Sequence, residues 1–312
     1  MRTFGRATFR RIERFFTEPF NPRAGFQLSP SGLIGLVLAP KENAVSAHLA
    51  ATLPAGTLDP SFDKPNIVAP RVLEEKIRDA ARRLGLAGGD IVLLPPEDCF
   101  KSTALLFDEF PAAAGERTRL LSHRLNKIMP LRPADARISY DSVADGDKAR
   151  VFLSLARASV LEEYERLFAR VDLRVRTVSP PSLGLLRCVP DDPGKTVLVA
   201  AIEDDSIALL AASGAGVSLY RFKPFLQETT PEAKLLQAAT EIQNTLHFLE
   251  DREGRKADGI FLRCLFAAGG GDGASFLRQH LPLPLQAVSC PLTFSAAAID
   301  KPLYAPLMGF LS

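Results

Sequence analysis

Tryptophan is absent from the 312 residues, and tyrosine and cysteine occur four times each. The shortage of large aromatic rings argues against a stacking platform for single-stranded nucleic acid. Cys99, Cys188, Cys264 and Cys290 form no C-x-x-C pair and are too few for a disulfide framework, so free or buried thiols are expected. Charge of one sign is also lacking. Thirty-eight Lys and Arg face 36 Asp and Glu, and a net charge of +2 leaves no basic field for a nucleic-acid partner. No run of about 18 apolar residues occurs, so no membrane-spanning helix is expected. The N-terminus is charged throughout and has no apolar core, unlike a signal peptide. His48, His123, His247 and His280 match no metal-ligand spacing. Neither G-x-S-x-G nor H-E-x-x-H is present. A cytoplasmic protein, held to something else, is the expectation.

What is present suits a folded chain. Hydrophobic residues make up 46% and charged residues 24%, enough apolar material for a sizeable core. The length suggests about two domains. Residues 1–23 stand apart, with Arg2, Arg6, Arg10, Arg11, Arg14 and Arg23 against only Glu13 and Glu18. Arg2, Arg6, Arg10 and Arg14 repeat every fourth residue and would line one side of a helix. Phe9, Ile12 and Phe16 give that helix an apolar stripe. Such a segment can lie on an anionic membrane, or pack its Phe face on its own protein.

Periodicity gives the rest. Gly32–Ala39 and Ala44–Leu53 read as a hairpin around Pro40–Asn43, and 71–84 as an amphipathic helix. Strands at 90–94 and 101–107, a helix at 115–128, strands at 137–141 and 149–156, a helix at 160–171 and a strand at 173–178 follow. A second unit starts near 191 with a three-strand meander (196–202, 206–212, 217–222), then a long helix from Pro231. Both units begin with hairpins and go on to alternate helix and strand. The expected architecture is α/β, with two related lobes.

Few motifs carry chemistry. Gly194-Lys195-Thr196 resembles a P-loop ending, but Val189 replaces the first glycine and a strand follows where a helix is required. Ser61-Phe62-Asp63-Lys64 fits S-x-x-K without its partner motifs. Gly269-Gly270-Gly271 lies between a strand and a helix, where glycines let backbone approach a ligand or simply make a tight turn.

The order of elements resembles the PilM family, actin-like proteins of type IV pilus assembly, from about Gly32 to Ser312. Ala44–Asp59 is similar to the family's return strand with its L-P-x-G-x-(I/L) tail. Glu241–Phe248 (EIQNTLHF) is similar to its E-I-x-x-S-L-x-F helix, and Tyr304–Gly309 to its closing Y-x-x-x-x-G. The resemblance implies an actin-like, ribonuclease H-like two-lobed fold. It would comprise the basic segment 1–23, a first lobe 24–190 with a PilM/FtsA-type insertion at about 68–180, and a reduced second lobe 191–312. Gly269, Gly270 and Gly271 would be a vestigial adenosine-side loop.

ATP-binding relatives carry D-x-G at each of two phosphate turns. Aligned here are Gly35–Ala39, with Val37 and Ala39 at the key positions, and Ala201-Ile202-Glu203. The missing acids remove oxygen ligands for Mg²⁺, and Glu203 would repel phosphate. The link from Phe222 to Pro231 is too short for the family's helical subdomain. The resemblance therefore implies a pseudo-ATPase scaffold with no catalytic residue, no metal and no cofactor, ATP with Mg²⁺ being disfavoured. Its partners would be the cytoplasmic tail of a PilN-like inner-membrane protein and other pilus or secretion proteins. That tail would dock between the first lobe and the insertion, at the cytoplasmic face of the inner membrane. Arg2, Arg6, Arg10 and Arg14 would touch the membrane or a partner. The alternatives are an active ATP-binding member of the actin/sugar-kinase superfamily, for which Asp204 and Asp205 are the nearby acids, and a GspL-like type II secretion component. The latter continues into a membrane helix, whereas this sequence ends at Ser312.

Overall fold

The computed structural model describes residues 22–40, 44–128, 135–190, 192, 194–226, 229–265, 267–268, 271–290, 292–294 and 301–312. Arg2, Arg6, Arg10, Arg14, Gly269 and Gly270 lie outside these residues. The chain opens with strands β1 (Ala24–Ser29), β2 (Gly32–Leu38) and β3 (Ala44–Thr52), helix α1 (Pro70–Arg83) and β4 (Gly89–Leu94). A separate unit follows, made of β5 (Phe100–Phe107), α2 (Ala114–Ile128), β6 (Ala136–Asp145) and β7 (Lys148–Arg157). Helix α3 (Ala158–Ala169) and β8 (Leu173–Val178) return to the first sheet, and the short α4 (Pro181–Gly184) leads out of it. The second lobe holds β9 (Val197–Ile202), β10 (Ser206–Ser213), β11 (Gly216–Pro224), α5 (Pro231–Glu253) and β12 (Gly259–Cys264). A two-residue ribbon, β13 (Ala267–Ala268) and β14 (Gly271–Asp272), then helix α6 (Gly273–Arg278), β15 (Leu285–Ala287), β16 (Thr293–Phe294) and α7 (Lys301–Leu311) complete the chain. Among the described residues no helix is long and apolar enough to cross a membrane.

The two large sheets have the same plan. The first runs β16-β3-β2-β1-β4-β8 and the second β11-β10-β9-β12-β15. Each starts with an antiparallel three-strand meander, whose first strand is then extended by parallel strands. The duplication expected from the sequence is therefore present, with one correction. The first lobe's meander begins at β1, eight residues before the strand read from the sequence. β1 sits in the middle of its sheet, between β2 and β4. The stretch AGFQLS carries a glutamine and shows no strict alternation, so its strand character comes from its neighbours. The insertion is also narrower than 68–180. β4 and β8 pair with each other in the first sheet, so the separate three-stranded sheet β5-β7-β6 covers only 100–157.

Helices cover the first sheet on both faces. Leu73, Ile77, Ala80 and Ala81 of α1 recur at helical spacing and share one core with Val160, Leu161, Tyr164, Leu167 and Phe168 of α3. The opposite face is covered by α7, whose Tyr304, Leu307, Met308 and Leu311 pack on Ile34, Leu36, Val92 and Leu94. α7 is buried nearly all round because it lies between the lobes. Ala305 joins the core of Val199, Ala201, Leu210 and Phe261 from the second sheet. Pro302 and Pro306 conceal this helix from sequence reading. In α5, the Thr230 hydroxyl accepts from the Ala233 N–H at 3.2 Å, and Gly254 closes the helix in the left-handed region at φ 61°.

The crossing of α4 and α7 needs two glycines. A Cβ on Gly309 would overlap the Gly184 carbonyl, and one on Gly184 would overlap the Pro306 carbonyl. Backbone lies against backbone, so neither can move aside cheaply. Gly309→Ala is expected to lower the unfolding free energy by about 3 kcal/mol, despite alanine's helix preference of about 1 kcal/mol. Gly115→Ala, in open space at the start of α2, is expected to be neutral or mildly stabilising. Urea titration of both variants checks this, and equal effects would contradict close packing at the crossing.

Candidate functional site

The first hairpin turn of each lobe faces a common cleft of about 330 Å³. From the first lobe come Gln27, Ser29, Pro30, Ser31 and Gly32, and from the second Glu203, Asp204 and Asp205, with Leu265 and Leu303 also lining it. The matching positions in the two lobes are thus Gln27-Leu28-Ser29 and Ala201-Ile202-Glu203. Val37, expected at the first turn, instead pairs with Ala24 at the far end of β1. Both turns still lack the acid and the glycine. The described part of the glycine loop, Ala267–Ala268 and Gly271–Asp272, forms the small ribbon, with Gly271 opposite Ala268.

The lobes meet directly across this cleft. The Ser31 hydroxyl donates to Asp204 Oδ2 at 3.1 Å, and Lys234 Nζ donates to the Asp204 carbonyl at 2.5 Å. Arg263, wholly buried on β12, forms an ion pair with Glu203. Its other nitrogens donate to the carbonyls of Pro302 at 2.8 Å and Leu303 at 3.2 Å. One guanidinium therefore ties the second turn to the start of α7. A lone arginine in the apolar run GIFLRC was the sequence signal for it.

A second node sits where the insertion leaves the first sheet. Glu97 accepts from the Ser182 N–H at 3.1 Å, from the Ser182 hydroxyl and from the Tyr220 hydroxyl. This joins the insertion, α4 and β11. Burial pushes the Glu97 carboxyl up, against the pull of those donors. Asp98 is pushed up to about 6, first by burial and then by repulsion from Asp205. Burial also raises Asp205, although the Ser206 hydroxyl donates to it at 2.9 Å. The acids beside the cleft thus disfavour one another's charge.

A groove of about 210 Å³ lies between the insertion and the first lobe. Arg137, Ile138 and Ser139 of β6 form one wall, Arg176, Thr177 and Val178 of β8 the other, over Leu161 and Glu165 of α3. Among the described residues both strands lie at sheet edges, β6 next to β7 and β8 next to β4. Arg137 makes a two-pronged contact with Glu165, one prong at 2.9 Å, and Arg176 donates to Asp90 at 3.0 Å. Unpaired strand edges are where an extended peptide adds main-chain hydrogen bonds.

Two of the four histidines have structural partners. His48 Nδ1 is 3.2 Å from the Tyr304 hydroxyl, and His280 Nδ1 is 2.9 Å from the Phe276 carbonyl. Among the described residues no group of three or more His, Cys, Asp or Glu side chains is arranged to hold a metal. All four cysteines are free thiols.

Asp98→Asn tests the acidic node. A carboxyl raised from 3.8 to about 6 on folding favours the folded state when protonated, so stability is lost as pH rises through 6. The amide is expected to stabilise the protein at pH 7.5 by about 1–3 kcal/mol, with the gain shrinking steadily between pH 6 and 4. Urea titrations across that range check this, and a pH-independent effect would contradict it.

No family model matches the sequence, and no curated protein matches it. Solved structures do match. A chain of the PilM–PilN type IV pilus biogenesis complex shares 14% identity, over 94% of this chain and 98% of that one, at a TM-score of 0.75. The cytoplasmic domain of EpsL, an inner-membrane component of the Vibrio cholerae type II secretion system, matches at 13% identity over 93% and 94%, with a TM-score of 0.50. A Bacteroides thetaiotaomicron protein of actin-like ATPase fold and unknown function matches at 11% over 99% and 98%, with a TM-score of 0.51. The duplicated sheets, the inserted three-stranded unit and these matches together give the chain a two-lobed, actin-like fold of the PilM type.

Proposed function

We propose that this chain is a non-catalytic actin-like scaffold of a type IV pilus or related secretion assembly, working at the cytoplasmic face of the inner membrane. Its groove between β6 and β8 docks the cytoplasmic tail of a PilN-like partner as an extended segment. The observation that carries this reading is the groove itself, walled by β6 and β8, each the outermost strand of its sheet among the described residues. A peptide there gains backbone hydrogen bonds from either wall, while Leu161, Val178 and Ile138 receive its apolar side chains. The fold likeness to a chain solved in a complex named for PilN supports the choice of partner. The basic residues Arg2, Arg6, Arg10 and Arg14 would add attraction to an anionic membrane surface.

The absence of catalysis rests on the cleft. Neither turn offers the acid that would hold a Mg²⁺-bound phosphate, and Glu203, paired with Arg263, stands where a glycine amide would meet phosphate. The likeness to the EpsL cytoplasmic domain favours a second reading, a type II secretion component with the same scaffold role.

Docking is tested with a fluorescent peptide covering the cytoplasmic tail of a one-span, PilN-type protein. Micromolar binding is expected, weakened at least tenfold by Ser139→Trp, which fills the groove from a half-buried position. An unchanged melting temperature shows that the variant is folded. No binding by the wild type, or unchanged affinity in the variant, would overturn this site.

A further inference from the structure

The chain passes between the lobes twice, and the two passages run side by side. It leaves the first lobe after α4, through Leu185–Cys188, and enters β9. It returns after β15 and goes on to β16, which lies in the first sheet, and α7. The Ser289 N–H donates to the Cys188 carbonyl at 2.8 Å, so the passages are joined backbone to backbone. Each carries a cysteine at this point, Cys188 on the first and Cys290 on the second. Both are free thiols, Cys188 buried and Cys290 half-buried. Their side chains share one apolar cluster and lie within hydrogen-bond reach of each other. Cys290 also packs on the core that α7 forms with the first sheet. The Cys188 thiol donates weakly to the carbonyls of Ala305 at 3.4 Å and Gly184 at 3.8 Å. Contact with the Cys290 thiol, and then burial, push Cys188 well up, so it keeps its proton until a partner sulfur is presented to it. Cys99 lies apart, in the first-lobe core beside Asn66 and Tyr164.

We infer that Cys188 and Cys290 are a reversible redox pair, oxidised to a disulfide that staples the two passages together. The oxidant is a low-molecular-weight disulfide, RSSR. The half-buried Cys290 attacks it as the thiolate. A bond forms between Cys290 Sγ and one sulfur, the RS–SR bond breaks, and the other half leaves as RSH with the proton that Cys290 gave up. Cys188 Sγ then attacks Cys290 Sγ and loses its proton, and the second RSH leaves. Two protein thiols are oxidised, and one small disulfide is reduced to two thiols. The cross-link encloses residues 189–289, which hold the whole β11-β10-β9-β12-β15 sheet. Closing so long a loop restricts the unfolded chain, and in the folded state the staple fixes both passages between the lobes at one point. In a reducing compartment such bonds are transient and redox-sensing, which fits two free thiols held in contact. This inference is independent of peptide docking in the β6–β8 groove.

Equilibration of the folded full chain with 2-hydroxyethyl disulfide, followed by alkylation and peptide mapping without reduction, tests it. A linked Cys188–Cys290 peptide is expected, together with a melting temperature several degrees above that of the reduced protein. Dithiothreitol should reverse both. Cys290→Ser, at a half-buried position, should abolish the link and the rise. Cys188→Ser should stop at the mixed disulfide on Cys290, again with no rise. Cys264→Ser should leave the link and the rise unchanged. The Cys290→Ser and Cys264→Ser variants keep the test valid even if Cys188→Ser misfolds. Mixed disulfides alone in the wild type, or a Cys188–Cys290 link that forms only in urea, would overturn the inference. So would a linked protein that melts no higher than the reduced one.

Discussion

Arg263 has to find partners for every donor of its guanidinium, because it is wholly buried and stays charged. It finds them in Glu203 on the second hairpin turn and in two carbonyls at the start of α7. Removing one member of such a buried pair typically costs about 3–5 kcal/mol. The turn, the strand and the helix are therefore set as one piece. That piece faces Ser31 across the cleft, and α7 continues from it over the first sheet to its crossing with α4 at Gly184. The relation between the lobes follows from this chain of contacts.

The consequences differ at the two concave places. In the interlobe cleft, protein groups satisfy protein groups where a phosphate site would hold open amides. In the groove beside the insertion, the walls are two strands that lie at sheet edges among the described residues. A fixed interlobe junction next to such a groove suits a molecule that holds a partner better than one that cycles a ligand. Glu97 ties the insertion to both α4 and β11, so a peptide in the groove would bind against an insertion already fixed in place.

Much of the fold was legible because hydrophobic spacing is a local property. The periods of α1 and α5, the β2–β3 hairpin and the β9–β11 meander follow from it, as does the duplication. β1 was not legible, because Gln27 interrupts a stretch whose pairing is decided by the strands on either side. α7 was hidden by Pro302 and Pro306, and β16 is two residues long. Missing β1 displaced the first phosphate turn from Gln27–Ser29 to Val37–Ala39. Of the cleft, Asp204 and Asp205 were visible as neighbours of the second turn. Asp98 and Arg263 gain their meaning only from what they meet in space. Arg263 has one sequence signal, a charged residue inside an otherwise apolar stretch, which is costly unless partnered.

The proposal that the interlobe cleft takes no nucleotide is tested most directly by isothermal titration of the full chain with Mg-ATP. No saturable heat is expected up to millimolar nucleotide, a standard free energy of about −4 kcal/mol. Micromolar binding would contradict it, since phosphate would then be accepted beside Glu203 with neither turn supplying its acid and glycine.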